Sequence, residues 1–518
     1  MNTDLTQSQS DYAMFLPATS TFYATFIGKQ RYINYVDPAR IPASFKHGME
    51  SLNFLDPVKG QFYYKWCLYS AGHANLDLNK PCWKEDMFRN RNRSNSWVLG
   101  DSGGFQIGKG RWEGDWKDIN CPKASKKRRQ VLDWMDGIMD YGMTLDIPSW
   151  VGRDPENAKK TGIKNFDEAI AGTHINNEYF IRNRNGNCKF LNVLQGEDHP
   201  DADRWYKEMK KYSDPKQYPN EHFNGWAMGG QNMCDISLVL KRLVELRFDN
   251  LLEPGVHDWM HFLGTSKLEW ALLMTDLQRA VRKYHNPNFT ISFDCASPFL
   301  ATANGQIYYE TETADRKKWT YRMSGGADNK KYKTDTRLYK DVIIKDKILR
   351  SFANSPIMDK IKINDICIYG PNDLNKFHKS NKTSWDSFSY GIMMAHNIYH
   401  HIDAVQHANR MYDQGICPRM LVLEDTVQVY FRQIVESVFS TTNKKIALST
   451  IDDFEIFWSN VIGTRGRSAK NVYTSKPNFQ KFFKPKEFIT EEILDGEFTL
   501  EQIDKLEQLE LEVEDDIA

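Results

Sequence analysis

Short apolar runs alternate with longer amphipathic stretches between residues 95 and 300 of this chain. The apolar runs have the length of buried strands and predict strands at 97–99, 143–146, 190–195, 225–230, 261–264 and 291–294. The stretches between them repeat apolar residues at helical spacing, which predicts helices over roughly 126–141, 165–182, 201–212, 233–247 and 266–284. Strands and helices that alternate at this rhythm form a parallel sheet. So many units favour a (β/α)8 TIM barrel of the α/β class over an open sheet.

The polar residues at the ends of these strands share one position. Each stands at or just after the carboxyl end of its strand: Asp101, Asp146, Gln195, Gly229, Gly230 and Asp294. In a (β/α)8 barrel this face carries the active site in essentially every characterised enzyme. The sequence therefore predicts one site at this end of the barrel.

The hexapeptide DSGGFQ, residues 101–106, is the most informative of these stretches. A carboxylate at a strand end is followed by two glycines, which let a planar ligand approach the backbone closely. Phe105 offers a ring on which such a ligand can stack. The same letters also fit a Gly-Gly turn whose Asp caps the next helix, so the motif alone does not decide between the two.

Asp101 and Asp294 come from different strands and would face one pocket, which suggests glycosyl transfer. One carboxylate attacks an anomeric carbon, while the other moves protons on the departing group. The remaining residues at this end would bind a purine-like base in three ways, with one pair of residues for each. The first pair would hydrogen-bond the edge of the base, the second would offer backbone groups, and the third would sandwich the ring. These pairs are Asp146 with Gln195, Gly229 with Gly230, and Phe105 with Leu263. A divalent metal ion held by the carboxylates is the alternative.

Composition suits a globular enzyme and limits its partners. The chain has 518 residues, of which 41% are hydrophobic and 13% aromatic, so we expect a large core with additional segments. Lys+Arg and Asp+Glu both number 68, so a nucleic acid would have to be bound by local patches. The polar first dozen residues, the lack of a long apolar run and eight scattered cysteines lead us to expect a soluble cytoplasmic protein without membrane contact.

Seven motifs follow one another in the order found in tRNA-guanine transglycosylases, which the stretch from about 95 to 310 resembles. They are DSGGFQ at 101–106, LDIPSW at 145–150, VLQG at 193–196, GG at 229–230, FLG at 262–264, FDCASP at 293–298 and NGQ at 304–306. The resemblance implies a TIM barrel that exchanges a guanine in a polynucleotide for a 7-deazaguanine, without a cofactor. It makes Asp294 the nucleophile at the sugar C1′ and Asp101 the acid/base or base-recognition residue. The other strand-end residues would then form the base pocket.

The zinc motif of that family is degenerate in this chain. Its CxCxxC pattern reads DICIYG at 365–370, with Cys367 as the one cysteine, and the histidine at the matching distance is His396. A structural zinc ion takes four ligands, and this stretch offers two and a possible carboxylate, so we expect no metal. If zinc were bound, one of three other histidines could complete its set of ligands: His378, His400 or His401.

Residues 315–350 contain twelve Lys/Arg against five Asp/Glu. Aromatic residues alternate with them: Trp319, Tyr321, Tyr332 and Tyr339. This mixture suits contacts with phosphates and splayed bases, while a solvated charged surface is the plainer interpretation. A second basic and aromatic stretch covers 465–486, and an acidic stretch covers 491–516.

These departures, together with the missing Thr-Arg pair after the predicted nucleophile, resemble the DpdA-type transglycosylases of phages and bacteria. Those enzymes place 7-deazaguanines in DNA and thereby protect it from restriction nucleases. The resemblance implies DNA and a free base such as 7-cyano-7-deazaguanine as partners. A tRNA-guanine transglycosylase of the queuosine or archaeosine type, a non-catalytic nucleic-acid-binding relative and a hydrolytic N-glycosidase remain alternatives.

The pattern divides the chain into five predicted segments. Residues 1–94 would pack on the barrel, and 95–310 would form its core with the active site. Residues 311–360 would be a basic insertion, and 361–430 would end the barrel with the degenerate zinc region. Residues 431–518 would form a C-terminal accessory region with a basic, aromatic stretch and an acidic tail.

Overall fold

The computed structural model describes residues 3–461 apart from 34–35, 81–84, 234, 314–318, 342–353, 371–383, 424–428 and 459–460. One sheet dominates it and contains eight parallel strands. These are β1 (Met14–Pro17), β2 (Trp66–Ser70), β3 (Trp97–Asp101), β4 (Tyr141–Met143), β5 (Lys189–Leu194), β6 (Gly225–Met228), β7 (Trp259–Phe262) and β8 (Thr290–Cys295). Their order in the sheet is β1-β8-β7-β6-β5-β4-β3-β2.

The two outer strands of that order, β1 and β2, also meet. Ala18 and Leu68 form a parallel bridge, and the Thr19 amide donates a hydrogen bond to the Leu68 carbonyl over 2.9 Å. The sheet is therefore a nearly closed, all-parallel barrel flanked by helices, consistent with a (β/α)8 barrel. The predicted α/β class is confirmed.

Helices follow the strands and cover the outside of the sheet. Those between the barrel strands are α1 (Thr21–Ile33), α2 (Asp86–Arg89), α3 (Gly104–Gly108), α4 (Pro122–Ile138), α5 (Pro155–Thr161), α6 (Phe166–Asn183), α7 (His199–Met209), α8 (Ile236–Phe248) and α9 (Leu268–Tyr284). The six predicted strands and five predicted helices are all present, with ends shifted by a few residues. The fourth strand ends at Met143, so Asp146 lies in the loop behind it.

Two boundaries predicted from the sequence differ from the structure. β1 and β2 lie within 1–94, so that segment is part of the barrel and does not merely pack on it. Both strands are short, and the chain between α1 and β2 is built mainly from turns, which leave no regular period to recognise. At the other end, the last barrel strand ends at Cys295. None of the described residues of 361–430 adds a strand to the barrel.

Side chains along each strand alternate between the barrel interior and the helical layer. The apolar interior cluster consists of Met14, Leu16, Leu68, Leu99, Met143, Leu191, Val193 and Ala227. At the amino ends of the strands, Trp97 stacks on Trp259 with ring centroids 4.4 Å apart. Residues two apart share a face, so Asp101 points inward with Trp97, and His261 points inward with Trp259.

The chain beyond β8 packs against the barrel with further elements. They are α10 (Ser297–Ala303), the antiparallel hairpin of β9 (Gln306–Glu312) and β10 (Thr320–Gly325), α11 (Ile363–Ile366), α12 (Ser387–Asp413), α13 (Phe431–Ser440), α14 (Lys444–Asp453) and α15 (Glu455–Trp458). α12 contacts α9 and α10, while α13 and α14 contact α9 and α8. In the part of the chain that the structure describes, no helix is long and apolar enough to cross a membrane.

Candidate active site

The polar residues that end the barrel strands lie at one mouth of the barrel. Ser70 and Asp101 end β2 and β3, Asp294 is the last residue but one of β8, and Gln195, Gly229 and Leu263 directly follow β5, β6 and β7. Their charges act on one another: Asp294 raises the pKa of Asp101, and Asp101 raises that of Asp146. The mouth thus brings together three carboxyl groups from β3, β8 and the loop after β4.

Asp101 is held by the neighbouring strand and by its own loop. Ser70 is its register partner on β2, and Ser70 Oγ donates a hydrogen bond to Asp101 Oδ2 over 2.5 Å. Burial raises the pKa of Asp101 above its ordinary value, and the charge of Asp294 adds to this, while hydrogen bonds from Ser70 and Gly103 oppose it. A carboxyl group with a raised pKa can keep a proton for a leaving group, as a general acid must.

Asp294 has a different environment. Its Oδ1 accepts a hydrogen bond from the Gly264 amide over 2.9 Å, and the same oxygen lies 3.0 Å from His261 Nε2. The Asp294 side chain is 13% exposed, while the His261 side chain is fully buried. Both contacts hold one oxygen of the carboxylate, and no other hydrogen bond reaches that carboxylate from the described residues. Oδ2 is therefore the oxygen of this carboxylate that the described residues leave for a ligand.

Asp146 and Gln195 form a second polar pair at the mouth, beside the two catalytic candidates Asp101 and Asp294. Gln195 Nε2 donates to Asp146 Oδ2 over 2.8 Å, and both residues are buried. Burial raises the pKa of Asp146 to about 7, with Asp101 adding to the shift and the Gln195 hydrogen bond opposing it. The carboxyl can therefore either donate or accept a hydrogen bond near neutral pH, which suits the edge of a planar base.

Glycines make room for this pair. A Cβ on residue 104 would lie 2.7 Å from the backbone oxygen of Asp146, and one on residue 229 would lie 2.7 Å from Gln195 Nε2. Gly230 adopts a φ of 57°, and its Cβ would lie 2.3 Å from the Gly196 oxygen. The approaches to backbone oxygens explain why glycine stands at positions 104 and 230, whereas a side chain at 229 would displace the Gln195 amide.

One part of the expectation for Gly229 is wrong. It was predicted to offer bare backbone groups to a base, but its amide donates to the Leu194 carbonyl over 2.8 Å. Its carbonyl accepts from the side chain of the buried Asn232 over 3.1 Å. Gly229 thus belongs to the packing that joins the loops after β5 and β6. A backbone contact to a base would have to come from Gly230.

The two residues predicted to sandwich a ring differ in exposure. Phe105 on α3 is 41% exposed, and its ring packs edge-on against Trp150 with centroids 5.8 Å apart. Lys109 Nζ lies 5.3 Å from the centre of the Phe105 ring. Leu263 is partly buried against the apolar barrel interior. Phe105 therefore retains an accessible aromatic surface, while Leu263 contributes mainly to the apolar packing of the barrel interior.

Sequence reasoning missed Ser70 and His261, which contact the carboxylates of Asp101 and Asp294, and Ser292, which contacts His261. His261 Nδ1 lies 2.9 Å from Ser292 Oγ, which also accepts a hydrogen bond from Trp259 Nε1 over 2.8 Å. Strand alternation could have revealed this set. His261 lies two residues before the inward-facing Leu263, and Ser292 lies two before Asp294, so each is a polar residue at an interior position.

The degenerate zinc region is hydrogen-bonded internally. His396 Nδ1 lies 2.9 Å from Ser355 Oγ and its Nε2 lies 2.8 Å from the Tyr308 carbonyl. Cys367 Sγ contacts the Asn329 carbonyl. The described residues contain no group of three or more His, Cys, Asp or Glu that could hold a metal ion, and His378 lies outside them. His396 is thus bonded as a core histidine.

The aromatic residues of the basic segment do not face solvent as expected. Trp319, Tyr332 and Tyr339 are at most 2% exposed and belong to the hydrophobic core. These three rings cannot stack on splayed bases, so the prediction is wrong for them, while Tyr321 is partly buried and stacks on His401 with ring centroids 4.5 Å apart. The charged neighbours are on the surface: Lys330, Lys331, Lys333 and Lys340. The stretches 465–486 and 491–516 lie outside the described residues.

The chain matches no family model and no curated protein. Two carboxyl groups at the mouth have a raised pKa, Asp101 and Asp146, and the second of these pairs with the buried Gln195 amide, while the carboxylate of Asp294 is oriented by two contacts on one oxygen. This set contains the chemical groups that an acid-assisted displacement on a substrate with a planar base requires.

Proposed function

We propose that this protein is a pentosyltransferase that exchanges guanine in DNA for a 7-deazaguanine base such as 7-cyano-7-deazaguanine. The observation that carries the proposal is the contrast between Asp101 and Asp294 at one barrel mouth. Burial favours the protonated form of Asp101, whereas Asp294 keeps Oδ1 against a backbone amide and His261. Paired carboxyl groups whose environments differ in this way suit separate acid and nucleophile roles.

The proposed reaction has two displacements. Asp294 Oδ2 forms a bond to the sugar C1′ while the C1′–N9 bond breaks, and its electron pair leaves with the guanine. Asp101 gives its proton to the departing base. The incoming 7-deazaguanine then loses its N9 proton to Asp101 and attacks C1′, which returns the electron pair to the Asp294 carboxylate. The sugar keeps its original configuration because it is inverted twice.

The base pocket follows from the residues around this pair. Asp146 and Gln195 would hydrogen-bond the edge of the guanine, and Gly230 could add a backbone contact. Phe105 would cover one face of the ring with its exposed side. Because this pocket lies inside the mouth, the guanine would be extruded from the duplex or taken from a single strand.

DNA as the polymer is supported by the resemblance and by the exposed lysines beyond the barrel. Lys330, Lys331 and Lys333 form one short cationic turn, and phosphate contacts need lysine charge but no aromatic partner. In this proposal, 311–360 and the C-terminal region act as nucleic-acid contacts. The enzyme would work in the cytoplasm of a bacterium or a phage-infected cell, where the modified base protects DNA from restriction.

The decisive experiment measures exchange of radiolabelled guanine into matched DNA and tRNA substrates. The purified protein should label DNA, with Asp294→Asn as the inactive control. Label in tRNA but not in DNA would replace the proposal with a tRNA-guanine transglycosylase. Abasic sites without exchange would indicate a hydrolytic N-glycosidase. Tight DNA binding without either product would indicate a non-catalytic relative.

A further inference from the structure

We infer that His261 is a positioning residue for the nucleophile, and that Ser292 and Trp259 fix its protonation pattern. This inference rests on the function proposed above. His261 lies on β7, next to β8 in the sheet, and its register partner is Ser292. Its side chain is fully buried and reaches Asp294 with one ring nitrogen and Ser292 with the other. Because its own side chain is fully buried, it can act on a substrate only through Asp294.

The direction of each hydrogen bond can be worked out from the groups involved. An indole N–H only donates, so Trp259 Nε1 donates to Ser292 Oγ over 2.8 Å. An ionised carboxylate only accepts, so His261 Nε2 must carry a proton for its 3.0 Å contact with Asp294 Oδ1. In a neutral imidazole Nδ1 is then an acceptor, and the Ser292 hydroxyl donates to it over 2.9 Å. The bonds all run from Trp259 towards Asp294.

This chain of hydrogen bonds is anchored at the amino ends of the barrel strands. The Trp259 ring stacks on Trp97 at 4.4 Å and lies 5.3 Å from the ring centre of Tyr141. Ser292 is fully buried, so its hydroxyl has no water to turn towards. Hydrogen bonds that point in one direction through a low-dielectric interior reinforce one another. The arrangement selects the Nε2–H tautomer of His261 and holds its ring in place.

The consequence for the reaction is orientation and charge placement. Two donors on Oδ1 fix the rotation of the Asp294 carboxylate and leave Oδ2 for the bond to C1′. In the covalent intermediate Oδ1 is an ester carbonyl and still accepts from His261 and Gly264. When the ester breaks, the returning negative charge meets the same donors, as in an oxyanion hole. No proton passes through His261 in either displacement.

The first test compares variants in single-turnover exchange. His261→Leu should lower the rate of forming the covalent intermediate about 100-fold, the scale seen when one fixed donor is removed, with the KM for the free base unchanged. His261→Gln, whose amide nitrogen can replace Nε2, should restore most of that rate. Ser292→Ala should cause a smaller loss. A wild-type rate in His261→Leu would overturn the inference, and so would an equal loss in His261→Gln.

A matched control separates positioning from general loss of a buried histidine. His257 lies just before β7, at the other end of the barrel, and is also fully buried. Its Nε2 forms a hydrogen bond with the Ser213 carbonyl. His257→Leu should lower the thermal midpoint but leave the single-turnover rate unchanged. If His257→Leu and His261→Leu slow the reaction equally, the effect is structural and the inference fails.

A second readout does not depend on activity. In protein labelled with ¹⁵N-histidine, the His261 ring should show the Nε2–H tautomer, and Ser292→Ala and Asp294→Asn should each change its nitrogen shifts. An Nδ1–H tautomer in the wild type would refute the proton assignment. If the wild type exchanges no base into DNA or tRNA while the tautomer is as expected, the proposed function fails and the hydrogen-bond chain stands.

Discussion

Gly104 and Asp146 approach each other so closely that no other residue fits at position 104. A Cβ there would stand 2.7 Å from the Asp146 backbone oxygen and 3.1 Å from its Oδ1. Because a backbone atom is involved, the neighbour cannot turn away. The second glycine of DSGGFQ therefore sets where the Asp146 carboxyl lies. It connects the loop after β3 with the loop after β4.

Gly104→Ala should displace the Asp146 loop and lower the free energy of unfolding by about 1–3 kcal/mol, the usual cost of overpacking. It should also weaken binding of the free base, which is measurable by calorimetry. Gly325→Ala is the matched control, because a Cβ there meets nothing within 4 Å. Equal base affinity in the two variants would show that Asp146 does not contact the base.

The raised pKa of Asp146 makes stability depend on pH. The carboxyl ionises near 3.8 when unfolded and at about 7 when folded. Unfolding therefore releases a proton between these values, and the contribution of Asp146 to stability, full below 3.8, is lost as pH rises through about 7. Asp146→Asn removes this dependence.

Urea unfolding of both proteins across this range checks the sign. The Asn variant should gain stability relative to the wild type as the pH increases, and the gain should level off above the folded pKa of about 7. A difference that stays constant with pH would mean that Asp146 ionises normally in the folded protein.

Replacing either catalytic candidate should remove activity without unfolding the protein. Asp294→Asn keeps the shape but loses the nucleophile, so exchange should fall by about 10⁴-fold or more. Asp101→Asn should lose covalent capture as well, because no proton reaches the leaving guanine. Denaturing gels with DNA and a 7-deazaguanine should show a shifted band for the wild type alone, while thermal midpoints stay similar. Normal trapping by Asp294→Asn would show that another residue is the nucleophile.

The exposed lysines of the turn at 330–333 should bind phosphates. Reversing the charge of Lys330, Lys331 and Lys333 should weaken DNA binding and reduce the slope of log affinity against log salt by about 0.9 per lost contact. Binding of the free base should stay the same. A control reverses three exposed lysines on or near the outer helices: Lys126, Lys207 and Lys216. Equal effects of the two triples would assign the turn to general surface charge.

Local patterns predicted much of the barrel correctly. The helices α4, α6, α8 and α9 repeat apolar residues at helical spacing, and the strands between them are compact apolar runs, so a short window of sequence contains the signal. Strand ends were recognisable because a polar residue interrupts the run, as Asp101 and Gln195 do. The strands β1 and β2 are not flanked on both sides by long helices with a clear apolar period. Their place in the barrel depends on pairing with other strands, and β1 pairs with β8, far away in the chain.

The basic segment shows the limit of local reasoning. Lysines interleaved with Tyr332 and Tyr339 look the same whether the rings face a nucleic acid or the core. The structure buries both rings and exposes the lysines. Which way a ring points depends on the apolar surface that happens to lie beside it, and that surface comes from distant segments.

The sequence by itself determined the α/β class and the position of Asp101, Gln195 and Asp294 at or next to strand ends, because periodicity and strand polarity are local properties. The tertiary structure alone decided their chemistry. Burial raises the pKa values of Asp101 and Asp146, with the charge of Asp294 adding to the first and the charge of Asp101 adding to the second, and the hold on Asp294 comes from Gly264 and His261. Burial and charge depend on distance in space, which the order of residues does not specify until the barrel closes.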